Sequence, residues 1–527
     1  MRFFNTAGPV NPEIHYCIPP LERFDLAEVL LLIQQRKYFV LHAPRQVGKT
    51  SYLLALTEHL NRTGDYRAAY FNVEIGQSAR NDVGAAMRAI LGAVASGAEI
   101  YAQDGFPRSV SQQILATEGP HGALTALLAR WAQQSDKPLV LMIDEIDALV
   151  GDTLIAVLRQ LRAGYTQRPN AFPQSIILCG VRDVRDYRIH TGDGKEIITG
   201  GSAFNIKAES LRMGDFNETE VFSLLHQHTA ETGQEFTVDA LELVWQLSLG
   251  QPWLVNALGY EACFRIVEGR DRSQPITAAL IEQAKENLIL RRETHLDQLT
   301  DKLREARVRR VVEPILSVTD EPVQLRPEDV EYVVDLGLIR RAPNGGLTIA
   351  NPIYQEIIPR ELAYGTQMGI SQEGVWYVQP DGRLDMDKLL AAFQQFFREN
   401  SEAWLERFDY KEAGPQILMQ AFLQRIVNGG GFIGREYALG RKRTDLLVRW
   451  QIPGGEQRVA IELKVSQGDV ERTIAAGLPQ TWEYMDKCGA EAGHLVIFDR
   501  TPGKTWEEKI FRRVAEYEGA PIRVWGM

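Results

Sequence analysis

Residues 38–51 read Tyr-Phe-Val-Leu-His-Ala-Pro-Arg-Gln-Val-Gly-Lys-Thr-Ser, and their order decides the fold of the first part of the chain. The apolar run 38–44 stops at Pro44, as a buried parallel strand does. A helical pattern follows from Lys49 to about Leu60. Between them, residues 43–50 fit the pattern GxxxxGK[ST] at Gly48, Lys49 and Thr50, with Ala43 in place of the first glycine. The pattern works because backbone N–H groups converge on phosphate at a helix N-terminus. Gly48 lets the backbone approach closely. Gln46, Val47 and Ser51 complete the cradle, Lys49 would reach the terminal phosphates, and Thr50 would hold Mg²⁺. Arg45 would either touch phosphate or point to solvent.

Working outward, strand signals at 68–74, 138–143 and 175–180 alternate with helical stretches at about 80–96, 121–134 and 152–163. Such alternation predicts a doubly wound α/β domain. The second of these apolar runs ends in Asp144-Glu145. Beside a phosphate loop, Asp144 would hold Mg²⁺ and Glu145 would polarise the attacking water. The plainer alternative is an acidic helix N-cap.

From about residue 215 the pattern turns helical, with Asn217 and Glu220 at capping-box spacing, and stays so to about 315. Residues 326–359 read as a small helical unit with a turn at Asn344-Gly345-Gly346, flanked by apolar Leu338, Ile339, Leu347 and Ile349, which predicts a hairpin. A linker is expected at 365–383. The block 400–527 reads as helix, hairpin, helix, strand (493–498), then a closing helix and strand.

Composition narrows the function classes. A net charge of −11 argues against a protein that coats nucleic acid, although it leaves room for a local basic groove. No uninterrupted apolar run approaches the ~20 residues of a membrane span, and the N-terminus lacks a signal-peptide core. A cytoplasmic location is the expectation. The four cysteines have no CxxC spacing, so neither zinc nor a disulfide framework is indicated.

A second constellation lies near the C-terminus. Asp445 opens the apolar segment Leu446-Leu447-Val448-Arg449-Trp450, a turn follows at 452–455, and Glu462 and Lys464 then sit at strand spacing in Arg-Val-Ala-Ile-Glu-Leu-Lys-Val-Ser. Alternation puts Glu462 and Lys464 on one face, with Asp445 on the adjacent strand. Two carboxylates and an amine suit Mg²⁺ or Mn²⁺ and phosphodiester hydrolysis, Lys464 orienting the water and offsetting charge on phosphorus. The plain alternative is a solvated hairpin.

Residues 16–51 resemble the AAA-like, archaeal-type P-loop ATPases of the STAND class. The resemblance continues through 139–149 (LVLMIDEIDAL), 175–186 (SIILCGVRDVRD) and Gly250-Gln251-Pro252, which is similar to that family's GxP motif. It implies ATP and Mg²⁺ as cofactors, Pro252 near the adenine, Arg182 as a γ-phosphate sensor or switch residue, and homo-oligomers. Residues 331–360 resemble the winged helix that follows such modules, with Arg340 and Arg341 ahead of the wing. The Asp445…Glu462-x-Lys464 set resembles the PD-(D/E)xK nucleases, in which Glu412 matches the acid of the first motif and Gln480 and Tyr484 match a QxxxY pattern. Thr444 stands where that pattern often has proline, and the run Arg441-Lys442-Arg443 would steer a DNA backbone.

The organisation this implies is an α/β AAA-like core (1–214), a helical lid (215–294), a winged helix (295–364), a linker and helix (365–399), and a nuclease-like domain (400–527). The function implied is an ATP-binding and hydrolysing switch controlling a metal-dependent DNA nuclease, in bacterial or archaeal defence with a protein or phage-derived trigger. The alternatives are a non-catalytic ATP-regulated DNA-binding module and, last, a helicase.

Overall fold

A computed structural model describes residues 1–182, 188–190, 197–199, 204, 206–291, 301–316, 325–342, 345–362, 377–405, 419, 422–423, 431–436, 445–466 and 468–527. They form two compact units, Met1–Arg292 with Val334–Gly337, and Glu293–Val333 with Leu338–Met527.

The first unit is built on a five-stranded parallel sheet. Its strands are β1 (Tyr38–His42), β2 (Arg67–Asn72), β3 (Leu139–Asp144), β4 (Ser175–Gly180) and β5 (Lys207–Arg212), in the order β2-β3-β4-β1-β5. Alternate residues feed two cores. Tyr38, Val40, Phe71, Leu141, Ile143 and Leu178 face one, and Phe39, Leu41, Tyr70, Val140, Met142 and Ile177 face the other. Burial on both faces explains why these strands read as unbroken apolar runs. Strand β5 escapes that reading because it is largely exposed and has the polar sequence Lys-Ala-Glu-Ser-Leu-Arg.

Helix α1 (Lys49–Thr63) packs Leu53, Leu56 and Leu60 on the second core. Helix α2 (Val83–Ala102) is long and apolar enough to cross a membrane, the one such helix among the described residues. It instead buries Met87, Ile90, Leu91 and Val94 in the first core. A further helix, Phe106–Glu118, was not foreseen. The helical stretch then includes α3 (Glu218–Thr232), started by a complete Asn217–Glu220 capping box, and α4 (Pro252–Tyr260).

In the second unit, helices Ala306–Leu316 and Pro327–Asp335 (its last two residues falling in the first unit) precede a hairpin of Ile339–Arg341 with Leu347–Ile349. The rest is a six-stranded mixed sheet. Its strands are β6 (Gly431–Glu436), β7 (Asp445–Ile452), β8 (Gly455–Ser466), β9 (Ala492–Asp499), β10 (Phe511–Tyr517) and β11 (Ala520–Gly526), in the order β6-β7-β8-β9-β11-β10. Helix α5 (Met386–Leu405) covers one face, where Phe393 and Phe397 meet Phe498. Helix α6 (Val470–Cys488) joins the parallel strands β8 and β9 and covers the other, packing Ile474 on Leu495 and Ile497, and Tyr484 and Cys488 on Leu447 and Ala460.

The approach of α6 to the sheet is close. A Cβ on Gly477 would lie 2.7 Å from Leu495 Cδ1, and one on Gly493 would lie 2.2 Å from Met485 Sδ. The chain end corrects the sequence reading. The expected closing helix is only Trp506–Lys509, and 511–526 is a hairpin turning at Glu518-Gly519. Both turn residues have positive φ, 49° and 77°, the signature of a type I′ turn. The linker residues 365–376 lie outside the described residues.

Candidate functional site

The loop between β1 and α1 places its left-handed conformations at Gln46 (φ 58°) and Gly48 (φ 106°). Ala43 has no such need. It is fully buried at the strand end, its N–H donating to Gly180 O at 3.3 Å, so the pattern's first glycine is dispensable here. Arg45 and Gln46 are exposed, Val47 is buried, and Ser51 is half-buried with its Oγ accepting from Val10 N at 2.9 Å. Lys49 is buried, and its Nζ donates to Ala43 O at 3.0 Å and Pro44 O at 2.9 Å.

Strand β4 lies between β1 and β3, yet the ends of β1 and β3 communicate directly. Thr50 Oγ1 donates to Asp144 Oδ2 at 2.7 Å. Asp144 is fully buried and also accepts from Tyr70 OH at 3.0 Å and from Glu145 N at 2.9 Å. A buried carboxylate and a hydroxyl in contact are the hard oxygen donors that Mg²⁺ prefers. The residues therefore fit a nucleotide-bound Mg²⁺, whose chemistry is to neutralise charge on the phosphate oxygens.

Next along the chain, Glu145 holds a left-handed backbone (φ 55°), a cost of order 1–3 kcal/mol that clusters at functional sites. Burial raises its pKa, aided by Asp147 and Asp144 and opposed by Lys49 and Arg45, which suits a proton acceptor. The same surroundings push up the Tyr70 hydroxyl, chiefly by burial and then by Asp144.

Two residues of this site were not foreseen. Tyr70 sat within an apolar run and gave no signal. Arg23 donates to Val47 O at 3.1 Å and to Gly214 O, and its guanidinium lies 4.4 Å from the Phe216 ring centroid. Burial lowers its pKa. Arg182 follows β4, half-buried, with Nε 3.6 Å from Asp335 Oδ2 within the first unit. Pro252 is buried at the start of α4, whose N-cap Gln251 accepts from Leu254 N at 2.6 Å. Gly250 (φ 82°) permits the entry, because a Cβ there would fall 1.8 Å from Phe216 O.

The second constellation is set by a tight turn. Pro453 and Gly454 (φ 88°) occupy the two central positions, as a type II turn requires, and Ile452 pairs with Gly455. That turn fixes the register of β7 on β8, which places Asp445 opposite Glu462. Opposite residues belong to the same face of a sheet, so Asp445, Glu462 and Lys464 share one face, the one covered by α6. Glu462 is 2% exposed, so this is not a solvated hairpin. Lys464 Nζ lies 2.7 Å from Glu462 Oε1. On α6, Tyr484 is buried over Leu447 and Ala460, and Gln480 is half-buried one turn earlier. Among the described residues no group of three or more His, Cys, Asp or Glu forms a metal cluster. Glu412, Thr444 and Arg441-Lys442-Arg443 lie outside the described residues.

The parallel sheet, the loop after β1 and the Thr50–Asp144 contact define a P-loop ATPase domain. Residues 33–187 match the family model described as an AAA domain. Among solved structures, the chain is similar to a Walker-type ATPase of Pyrococcus abyssi, at 14% identity over 67% of this chain and 99% of that one, with a TM-score of 0.44. It is also similar to Cdc6p from Pyrobaculum aerophilum (15% identity, 65% and 93%, 0.34) and to the RuvB Holliday junction branch migration motor of Thermotoga maritima (13%, 63% and 93%, 0.33). No curated protein matches the chain.

Proposed function

We propose that the chain is an ATP-operated switch whose second unit is a metal-dependent nuclease acting on DNA. The observation that carries the nuclease reading is the register of Asp445 on Glu462, with Lys464 beside them. Two carboxylates and an amine on one covered sheet face supply ligands for a divalent ion and a cation for the developing charge on phosphorus. In this reading Asp445 and Glu462 hold Mg²⁺ or Mn²⁺, Lys464 orients the attacking water, and Glu412 and Gln480 complete the set. The topology of β6 to β9 with α6 supports it, since the strand pair, crossover helix and parallel strand arrive in the order the PD-(D/E)xK resemblance implies.

The helix–helix–hairpin segment 306–349 is read as the winged helix, with exposed Arg340 on the hairpin facing a phosphate backbone and Arg341 exchanging its Glu331 partner for one. In the first unit, Lys49, Thr50 and Asp144 bind Mg²⁺-ATP, Glu145 accepts a proton from water, Pro252 borders the base and Arg182 reads the γ-phosphate. Homo-oligomers and a role in defence belong to the same reading.

The test is a plasmid and RNA cleavage assay with Mg²⁺ or Mn²⁺, with and without ATP, on the parent, Lys49→Ala and Lys464→Ala. Loss of cleavage in Lys464→Ala and loss of only the ATP response in Lys49→Ala are expected. DNA binding without cleavage in the parent would instead establish the non-catalytic module.

A further inference from the structure

The second unit's sheet ends on β10, which pairs with β11 alone among the described residues. Such an edge is a template for another strand. It is seven residues long, has no proline and exposes Val514 at 64%, and its charged residues, Arg512, Arg513 and Glu516, are of both signs.

Its backbone polarity follows from the turn. Tyr517 and Ala520 flank the two-residue Glu518-Gly519 loop, so they form a hydrogen-bonded pair, as do Ala515 and Arg513 with their partners on β11. The N–H and C=O groups of Arg512, Val514 and Glu516 therefore point to the open edge.

The side chains of those same residues are self-complementary. In an antiparallel pairing of two copies centred on Val514, Val514 meets itself. Arg512 falls opposite Glu516 and Glu516 opposite Arg512, while Phe511 meets Tyr517 on the other face. Opposite charges and aromatic pairs directly across strands stabilise a pairing. Shifting the register by two residues in either direction loses both matches. Arg512 also pairs with its own copy's Asp387 at 2.7 Å and lies over Trp525, contacts that it would share with the Glu516 of a second copy. Glu516 is exposed.

The geometry points to a second copy of this chain as the occupant of this edge, joined by an antiparallel β10–β10 pairing about Val514. The twofold axis runs normal to the sheet, so the α6-covered faces of both copies lie on the same side of one continuous sheet. This contact is separate from any oligomer made by the ATPase unit and does not depend on the nuclease reading.

Charge reversal in the full chain tests it by sedimentation velocity without nucleotide. Arg512→Glu alone and Glu516→Arg alone should each lose the self-association of the parent. An equimolar mixture of the two variants should regain it, because each reversed residue then faces an opposite charge. A folding defect would not be rescued by mixing. As a check on register, Val514→Cys under mild oxidation should form a disulfide-linked dimer, since Cα atoms of a hydrogen-bonded pair lie about 5.5 Å apart. No crosslink above the parent, together with no rescue on mixing, would overturn the proposal.

Discussion

Thr50 Oγ1 and Asp144 Oδ2 lie 2.7 Å apart although the residues are separated by 94 positions and their strands by a third. The hydroxyl at the start of α1 and the acid at the end of β3 thus meet over the strand tips, where ligands of open α/β sheets bind. Glu145, one residue on, is held in a strained backbone beside them.

Replacing Glu145 with Gln should therefore lower ATP turnover by about 10²–10⁴-fold, the usual contribution of a positioned base. Nucleotide affinity, measured by titration calorimetry, should change little, because Lys49, Thr50 and Asp144 are untouched. Turnover equal to the parent would move the base elsewhere.

Gly250→Ala should destabilise the first unit. Its Cβ would meet Phe216 O at 1.8 Å, and its φ of 82° disfavours any side chain. A loss of about 1–3 kcal/mol is expected, read as a lower denaturation midpoint, together with weaker ATP binding as the start of α4 shifts. An unchanged midpoint would show that the α3–α4 connection can relax.

Lys464→Met should abolish metal-dependent cleavage and also weaken the second unit, because the buried Glu462 carboxylate loses its ammonium partner. A cost on the order of 1–3 kcal/mol is expected. Chemical denaturation and a nicking assay measure the two effects separately. Cleavage at the parent's rate would remove Lys464 from the chemistry.

Acid stability should depend on His494. It is buried in the sheet, where its Nδ1 accepts from Trp525 Nε1 at 3.1 Å, and burial, with Arg523 and Arg512, lowers its pKa to about 3. The unfolded chain binds that proton near pH 6.5 and the folded one does not. The associated stability is present above pH 6.5 and is lost as pH falls towards 3, at up to about 1.4 kcal/mol per pH unit. His494→Gln, which keeps an acceptor, should flatten this slope in denaturant midpoints measured from pH 7 to pH 4.

The ATPase core was legible because β1 to β4 are buried on both faces and their apolar runs carry motifs at their ends. Strand β5 was not, since its residues are largely exposed and mostly polar. Tyr70 and Arg23 were also invisible, because their roles arise from contacts 74 and 24 residues away. In the second unit, Pro453-Gly454 announced a hairpin, and the register that sets Asp445 against Glu462 follows from that turn. Glu518-Gly519 is a weaker turn signal than Asn-Gly or Asp-Gly, so the chain end reads as one helix and one strand where it forms a short helix and a hairpin.

The two glycines at the interface of α6 and β9 lock that helix along its length. Gly477 receives Leu495 and Gly493 receives Met485, so sliding α6 by a turn would bring Thr473 or Thr481 against Leu495 and carry Met485 off the glycine that makes room for it. Tyr484 is held over the sheet by the same interlock. If ATP governs this unit, admitting or excluding substrate is then the open route, since the acid–lysine set stands on strands β7 and β8 beneath a helix that has nowhere to go.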